Sequence, residues 1–256
     1  MKNLFIVLFC MASVNAKAQL IDTVKKDLFT APDTVQHLHS KFPALVVPAA
    51  FVGYGALSLV FHPIRQLDYN VNRSITKADP HFNFSIESYL QFAPLIAVYG
   101  LNLIGDEGKN RFVDRTALYL LSEGIAGVTV FAIKYPSHRL RPNGTDYLSF
   151  PSAHTASAFA AAEFMAQEYG DKSIWYTVAG YGFATVTGAF RIYDHDHWLS
   201  DVVAGAGIGI ASAKVAYWLY PYIRNKFTHN GKKPKNAVIL PTFQNGAAGL
   251  SLAKQF

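Results

Sequence analysis

Three short blocks hold residue types and spacings suited to phosphate chemistry. The first is Lys134, six residues, then Arg141-Pro142. The second is Pro151-Ser152-Ala153-His154, and the third is Arg191, five residues, His197, three residues, Asp201. Three cations gathered in a partly desolvated place need a counter-charge, because an isolated buried ion costs several kcal/mol. A multivalent anion supplies it. Arg presents fork-shaped donors that match phosphate oxygens, and Lys presents a point charge. Ser152 and the backbone amides of Ala153 and His154 stand at an expected helix start, where orphan N–H groups and the helix dipole favour an anion.

The histidines divide the remaining work. His197 and Asp201 are four apart, which places them on one face of an expected helix. A carboxylate beside one imidazole nitrogen fixes the tautomer and stabilises positive charge, leaving the other nitrogen free to attack phosphorus. His197 is therefore the candidate nucleophile and Asp201 its orienter. His154, from another helix, is placed to protonate the leaving oxygen. Lys134, Arg141 and Arg191 would stabilise charge in the transition state.

Apolar segments must position these blocks. Phe42–Phe61, Ser88–Gly105 and Ser173–Phe190 carry no formal charge; Thr116–Ile133 carries only Glu123, and Trp198–Tyr222 only Asp201 and Lys214. Each is about long enough to cross a ~30 Å hydrocarbon layer as a helix. Phe42–Phe61 contains Pro43, Pro48, Gly53 and Gly55, which suits a re-entrant or peripheral segment. His154–Tyr169 is Ala-rich with Glu163 and Glu168, and reads as a helix packed inside a bundle. Residues 62–87, 106–115, 134–153 and 192–197 read as polar connections. In an up-and-down bundle, Lys134, His154, Arg191 and His197 then stand at helix ends on one face. The fold class expected is all-α: a membrane-embedded bundle of about five or six core helices, with a short C-terminal β-hairpin at Ala237–Phe243 and Ala247–Lys254 around Asn245-Gly246.

The three blocks together resemble the signature of the type 2 phosphatidic acid phosphatase and vanadium haloperoxidase superfamily: Lys, six residues, Arg-Pro; Pro-Ser-Gly-His; Ser-Arg, five residues, His, three residues, Asp. The match covers Lys134–Asp201. The resemblance implies a metal-independent hydrolase with no cofactor. It gives Lys134, Arg141, Ser152, His154, Arg191, His197 and Asp201 the roles just described, through a phosphohistidine on His197. Two positions depart: Ala153 stands where the pattern has Gly, and Phe190 where it has Ser. They bear on efficiency and substrate preference. The expected substrate is a lipid phosphate or diphosphate. Competing readings are a soluble periplasmic acid phosphatase on the same fold, a vanadium-dependent haloperoxidase, and a non-enzymatic membrane protein.

The rest of the chain frames this reading. Of 256 residues, 51% are hydrophobic and only 16% charged, which excludes a disordered chain or a coiled coil. One Cys excludes a disulfide framework and a Cys-based zinc site. Met1–Gln19 has Lys2, an apolar run and Ala16-Lys17-Ala18, so residues 1–18 are expected to be a secretory signal. Residues 19–87 form an N-terminal extension, 88–224 the catalytic helical domain, and 225–256 a basic tail. The net charge of +6 is concentrated near the end, at Arg224, Lys226, Lys232, Lys233, Lys235 and Lys254. No nucleic-acid module accompanies it, and a basic cluster after an apolar helix marks a cytoplasmic end. The catalytic face is then expected toward the periplasm.

Overall fold

The computed structural model describes residues 42–78 and 87–228, and the backbone of residues 237–244 and 247–254. The expected signal, and Lys232, Lys233 and Lys235 of the tail, lie outside the described residues. After a 3₁₀ turn at Phe42–Leu45 come α1 (Val46–Leu57), α2 (His62–Ala78), α3 (Glu87–Leu90), α4 (Ala93–Leu103), α5 (Phe112–Ser137), α6 (Ala153–Tyr169), α7 (Ile174–Tyr193) and α8 (Leu199–Thr228). Strands β1 (Ala237–Gln244) and β2 (Ala247–Lys254) pair antiparallel, with Gln244 opposite Ala247. The helical bundle and the terminal hairpin are those the sequence pattern predicts.

Helix α6 is the centre of the bundle, packed against α4, α5, α7 and α8. Its Ala158, Ala160, Ala161, Ala162 and Phe164 are wholly buried. Small residues let backbones approach closely, and close packing is what holds helices together where lipid removes the hydrophobic drive. The partner α8 supplies glycines at the contact. A Cβ on Gly205 would stand 2.5 Å from the carbonyl oxygen of Ser152, and one on Gly209 would collide with the carbonyl oxygen of Ala156. The two acids of α6 are buried but paired, as ionisable groups inside a bundle must be. Lys214 reaches Glu163 at 2.6 Å, and Glu168 takes Arg115 at 3.2 Å and the Tyr217 hydroxyl at 2.6 Å.

Among the described residues two helices are long and apolar enough to cross a membrane: α5, and α8 over Leu199–Lys226. The apolar stretch Phe42–Phe61 does not run on straight, in keeping with a re-entrant or peripheral segment; the chain bends by 87° between the helix ending at Leu57 and that starting at His62. Two expectations change. Residues 62–78, expected as connection, form α2, whose Asp68 is fully buried. The stretch Ser88–Gly105 is broken at Gln91-Phe92, with Pro94 in the first turn of the 11-residue α4. At 1.5 Å per residue α4 reaches only about half of a ~30 Å layer.

Candidate active site

The first block begins in the last turn of α5. Lys134 is buried, and its Nζ donates to the carbonyl of Leu148 at 2.6 Å. Just beyond, His138 takes the left-handed conformation (φ 42°) and turns the chain out of the helix. The following loop folds on itself through Asp146. That carboxylate receives Arg141 Nε at 2.8 Å and the Leu148 amide at 2.8 Å. Partial burial pushes Asp146 upward, but these bonds and the Arg141 charge hold it below the usual carboxylate value. Arg141 also donates to the carbonyl of Asp196 at 3.2 Å, which ties the first block to the third.

The third block reverses direction between α7 and α8. His195 is left-handed (φ 58°), and the amides of Asp196 and His197 both return to the carbonyl of Arg191, at 3.2 and 3.1 Å. Arg191 is buried near the end of α7 and reaches Asp196 Oδ2 at 2.5 Å. Asn143 of the first loop donates to Asp196 Oδ1 at 2.8 Å. Asp196 thus stands between the arginines of two blocks, and Lys134 lies within electrostatic reach of both.

His197 does not open α8 as the sequence predicts; the helix begins two residues later, at Leu199. It is 2% exposed, against 0% for Asp201. Its Nδ1 is 3.7 Å from Asp201 Oδ2, within ion-pair range but beyond a hydrogen bond. The oxygen nearer His197 already holds two donors. Oδ2 receives the Ser149 hydroxyl at 2.5 Å and the Trp198 amide at 2.9 Å, and Oδ1 receives Arg139 at 2.7 Å. Burial pushes the His197 imidazole below its ordinary value; Asp201 pulls it up, and Lys134 and Arg141 push it further down, leaving a net lowering. The side chain is therefore held neutral near neutral pH, the state a nitrogen nucleophile needs.

The second block joins at the start of α6. The Ser152 amide donates to the carbonyl of Asp201 at 3.1 Å, so this helix start is fixed to the His197–Asp201 segment. The Ser152 oxygen is fully buried and caps α6, accepting from the Thr155 amide at 3.4 Å and the Thr155 hydroxyl at 2.9 Å. Its structural duty is thus visible in addition to the expected phosphate contact. Ala153 is the first residue of α6 and its methyl packs beside Val130, Ala156 and Ile208. A helical backbone suits Ala better than Gly by about 0.5–1 kcal/mol, so the departure from Gly carries no backbone strain here. His154 follows and lines a cavity between α5 and α6.

The structure thus draws Lys134, Arg141, Arg191, His197 and Asp201 into one network, to which the bond from the Ser152 amide to the Asp201 carbonyl joins Ser152, Ala153 and His154. It adds residues that the sequence reading missed. Arg139 bridges Asp201 and Asp68, each at 2.7 Å, across three elements. Asp68 in turn receives the amide and hydroxyl of Ser200, at 2.9 and 2.6 Å. The Arg139 guanidinium lies 5.7 Å over the Trp198 ring. Among the described residues no group of three or more His, Cys, Asp or Glu is arranged to hold a metal ion.

The three blocks fall within one match to a known family. Residues 115–225, which contain all three, match the model of the PAP2 superfamily. A lipid A 1-phosphatase of Porphyromonas gingivalis is 39% identical over 156 residues, or 60% of this chain and 35% of that protein. The chain spans about a third of the length of that relative. Two solved structures align more loosely. Aquifex aeolicus LpxE has 21% identity and a TM-score of 0.46, over 59% of this chain and 94% of that one. A transmembrane PAP2 type phosphatidylglycerolphosphate phosphatase from Bacillus subtilis has 17% identity and a TM-score of 0.47, over 76% and 100%.

Proposed function

We propose that this chain is a membrane phosphatase that releases inorganic phosphate from a lipid phosphate or diphosphate. The observation that carries the reading is the meeting of Lys134, Arg141 and Arg191 with a buried, neutral His197 backed by Asp201. A phosphate entering here would share the arginines with Asp146 and Asp196 and gain the amides at the start of α6. The similarity over residues 115–225 supports the same reaction class, and the lipid A 1-phosphatase relative supports a lipid substrate.

In this mechanism the Nε2 lone pair of His197 attacks phosphorus. The bond from phosphorus to the lipid oxygen breaks, and His154 as imidazolium gives its proton to that oxygen. His154, now neutral, takes a proton from water, whose oxygen attacks the phosphohistidine; the P–N bond breaks and phosphate leaves. Asp201 faces Nδ1, which becomes cationic in the intermediate. The present 3.7 Å separation would shorten as that charge appears, since catalytic hydrogen bonds tighten in the reacting complex. The three cations bear the charge on the transferring oxygens. The catalytic face lies at the end of α8 opposite Arg224 and Lys226, and the distribution of Lys and Arg supports a face outside the cytoplasm.

The test is phosphate release by purified protein in detergent micelles from a panel of lipid phosphates and diphosphates, with a chelator present and no metal added. The expected result is release that vanadate inhibits and that His197→Ala abolishes. Undiminished release by His197→Ala would overturn the reading.

A further inference from the structure

Each of the two phosphate arginines already holds a carboxylate. Arg141 holds Asp146, whose side chain is 42% exposed, and Arg191 holds Asp196. The second pair is the tighter and the more enclosed. Arg191 Nη2 and Asp196 Oδ2 stand 2.5 Å apart, with side chains 8% and 27% exposed. Asp196 is also the residue immediately before His197. Its other carboxylate oxygen receives Asn143 at 2.8 Å, and the Asn143 amide donates to the carbonyl of His195 at 3.0 Å. The Asp196 carbonyl receives Arg141 at 3.2 Å. Main chain and Asn143 therefore tether this carboxylate beside both arginines, and it stays close when another anion arrives.

An ion pair that only closed the turn between α7 and α8 would be redundant. The amides of Asp196 and His197 already return to the Arg191 carbonyl, at 3.2 and 3.1 Å. The acids that serve structure at this end look different: Asp68 and Asp201, which share Arg139, are wholly buried. Asp196 is open to solvent and sits on the donors that the phosphate itself needs. A guanidinium fork suits a carboxylate and a phosphate equally. A phosphate group carries close to two negative charges near neutral pH. At Arg191 it therefore meets a group of its own sign, whether it belongs to the substrate or to the released product.

We propose that Asp196 is a built-in competitor of phosphate. It positions Arg191 while the site is empty, opposes the anion while the site is full, and reclaims the guanidinium as inorganic phosphate leaves. Three cations without this opposing charge would hold the product and slow turnover. The inference rests on the phosphatase reading above and adds to it a residue that governs product release.

The experiment uses the full chain in detergent micelles with inorganic phosphate as the probe. Binding is measured by equilibrium dialysis of labelled phosphate, and kcat and KM by hydrolysis of a lipid phosphate. Asp196→Asn removes the charge and keeps an acceptor for Asn143; Asp196→Ser removes the charge with most of the side chain. Both are expected to bind phosphate about tenfold or more tighter than the wild type, with KM and kcat falling together as release becomes limiting. Asp171→Asn takes one negative charge from a pair with Lys109 beyond the far end of α6, ~25 Å from Ser152. It is expected to leave phosphate binding unchanged. If Asp196 served only to orient Arg191, its loss would weaken phosphate binding and raise KM. That result, or unchanged binding, would overturn the inference and leave the phosphatase reading standing on the wild-type activity. Equal tightening in Asp171→Asn would also overturn it, as an effect of net charge alone. A wild type that releases phosphate from no lipid phosphate would overturn both. Should Asp196→Asn fail to fold, Asp196→Ser decides.

Discussion

Arg139 donates to Asp201 Oδ1 at 2.7 Å, from a position two residues before Arg141. The same guanidinium holds Asp68 at 2.7 Å. Two wholly buried carboxylates therefore share one cation that is itself only 11% exposed. Breaking such a buried arrangement by removing one partner costs about 3–5 kcal/mol, since the remaining charges stay unpaired. Arg139→Ala is expected to lower the thermal inactivation midpoint markedly and to cut kcat, because Asp201 loses the contact that fixes its orientation. Arg139→Lys, which keeps the charge without a fork to span both acids, is expected to fall between. An unchanged midpoint in Arg139→Ala would contradict this.

The pH dependence follows from His197. Burial, with Lys134 and Arg141, lowers the imidazole below its ordinary value. The neutral form is the nucleophile, so activity persists as pH falls and is lost only on passing the lowered value. The acid limb of kcat/KM, which reports the free enzyme, is expected below 6.5. Asp201 pulls the value upward, so Asp201→Asn is expected to move that limb lower still while reducing kcat, because the phosphohistidine cation loses its support. A limb that moves up in Asp201→Asn would contradict the sign.

Packing sets the geometry of the site from below. Gly205 of α8 faces the carbonyl oxygen of Ser152, with no room for a Cβ at 2.5 Å. Gly205→Ala must push α8 from α6, straining the bond between the Ser152 amide and the Asp201 carbonyl. Overpacking of this kind costs about 1–3 kcal/mol, and the activity loss is expected to exceed what stability alone explains. Gly182 on α7 has nothing within 4 Å of a Cβ. Gly182→Ala is expected to be neutral or to stabilise by up to about 1 kcal/mol. Thermal inactivation and phosphate release, measured on both variants, check the pair.

What could be read from the sequence was set by spacing along short segments. Lys134 and Arg141, and Arg191, His197 and Asp201, are linked by local turns, so their meeting was foreseeable from helix ends on one face. Arg139 was not, because its partner Asp68 lies 71 residues earlier in a stretch that looked like a polar connection. The signal was present there: Ile64, Leu67, Val71 and Ile75 recur at helical spacing along α2. Pro94 likewise marked a fresh helix start inside an uncharged stretch that charge counting alone takes as one span. The 3.7 Å gap between His197 and Asp201 depends on Ser149 and Trp198 filling the carboxylate, and no pattern in the chain announces that.

The most direct measurement is to trap the intermediate. The protein is mixed with a phosphorus-labelled phosphoester bearing a good leaving group, quenched in alkali, where phosphohistidine survives, and mapped by mass spectrometry. In His154→Ala, a good leaving group needs little help to depart, while no base activates water, so label is expected to accumulate on His197. Label on another residue, or turnover without any labelled protein in a variant that still hydrolyses the ester, would contradict the account.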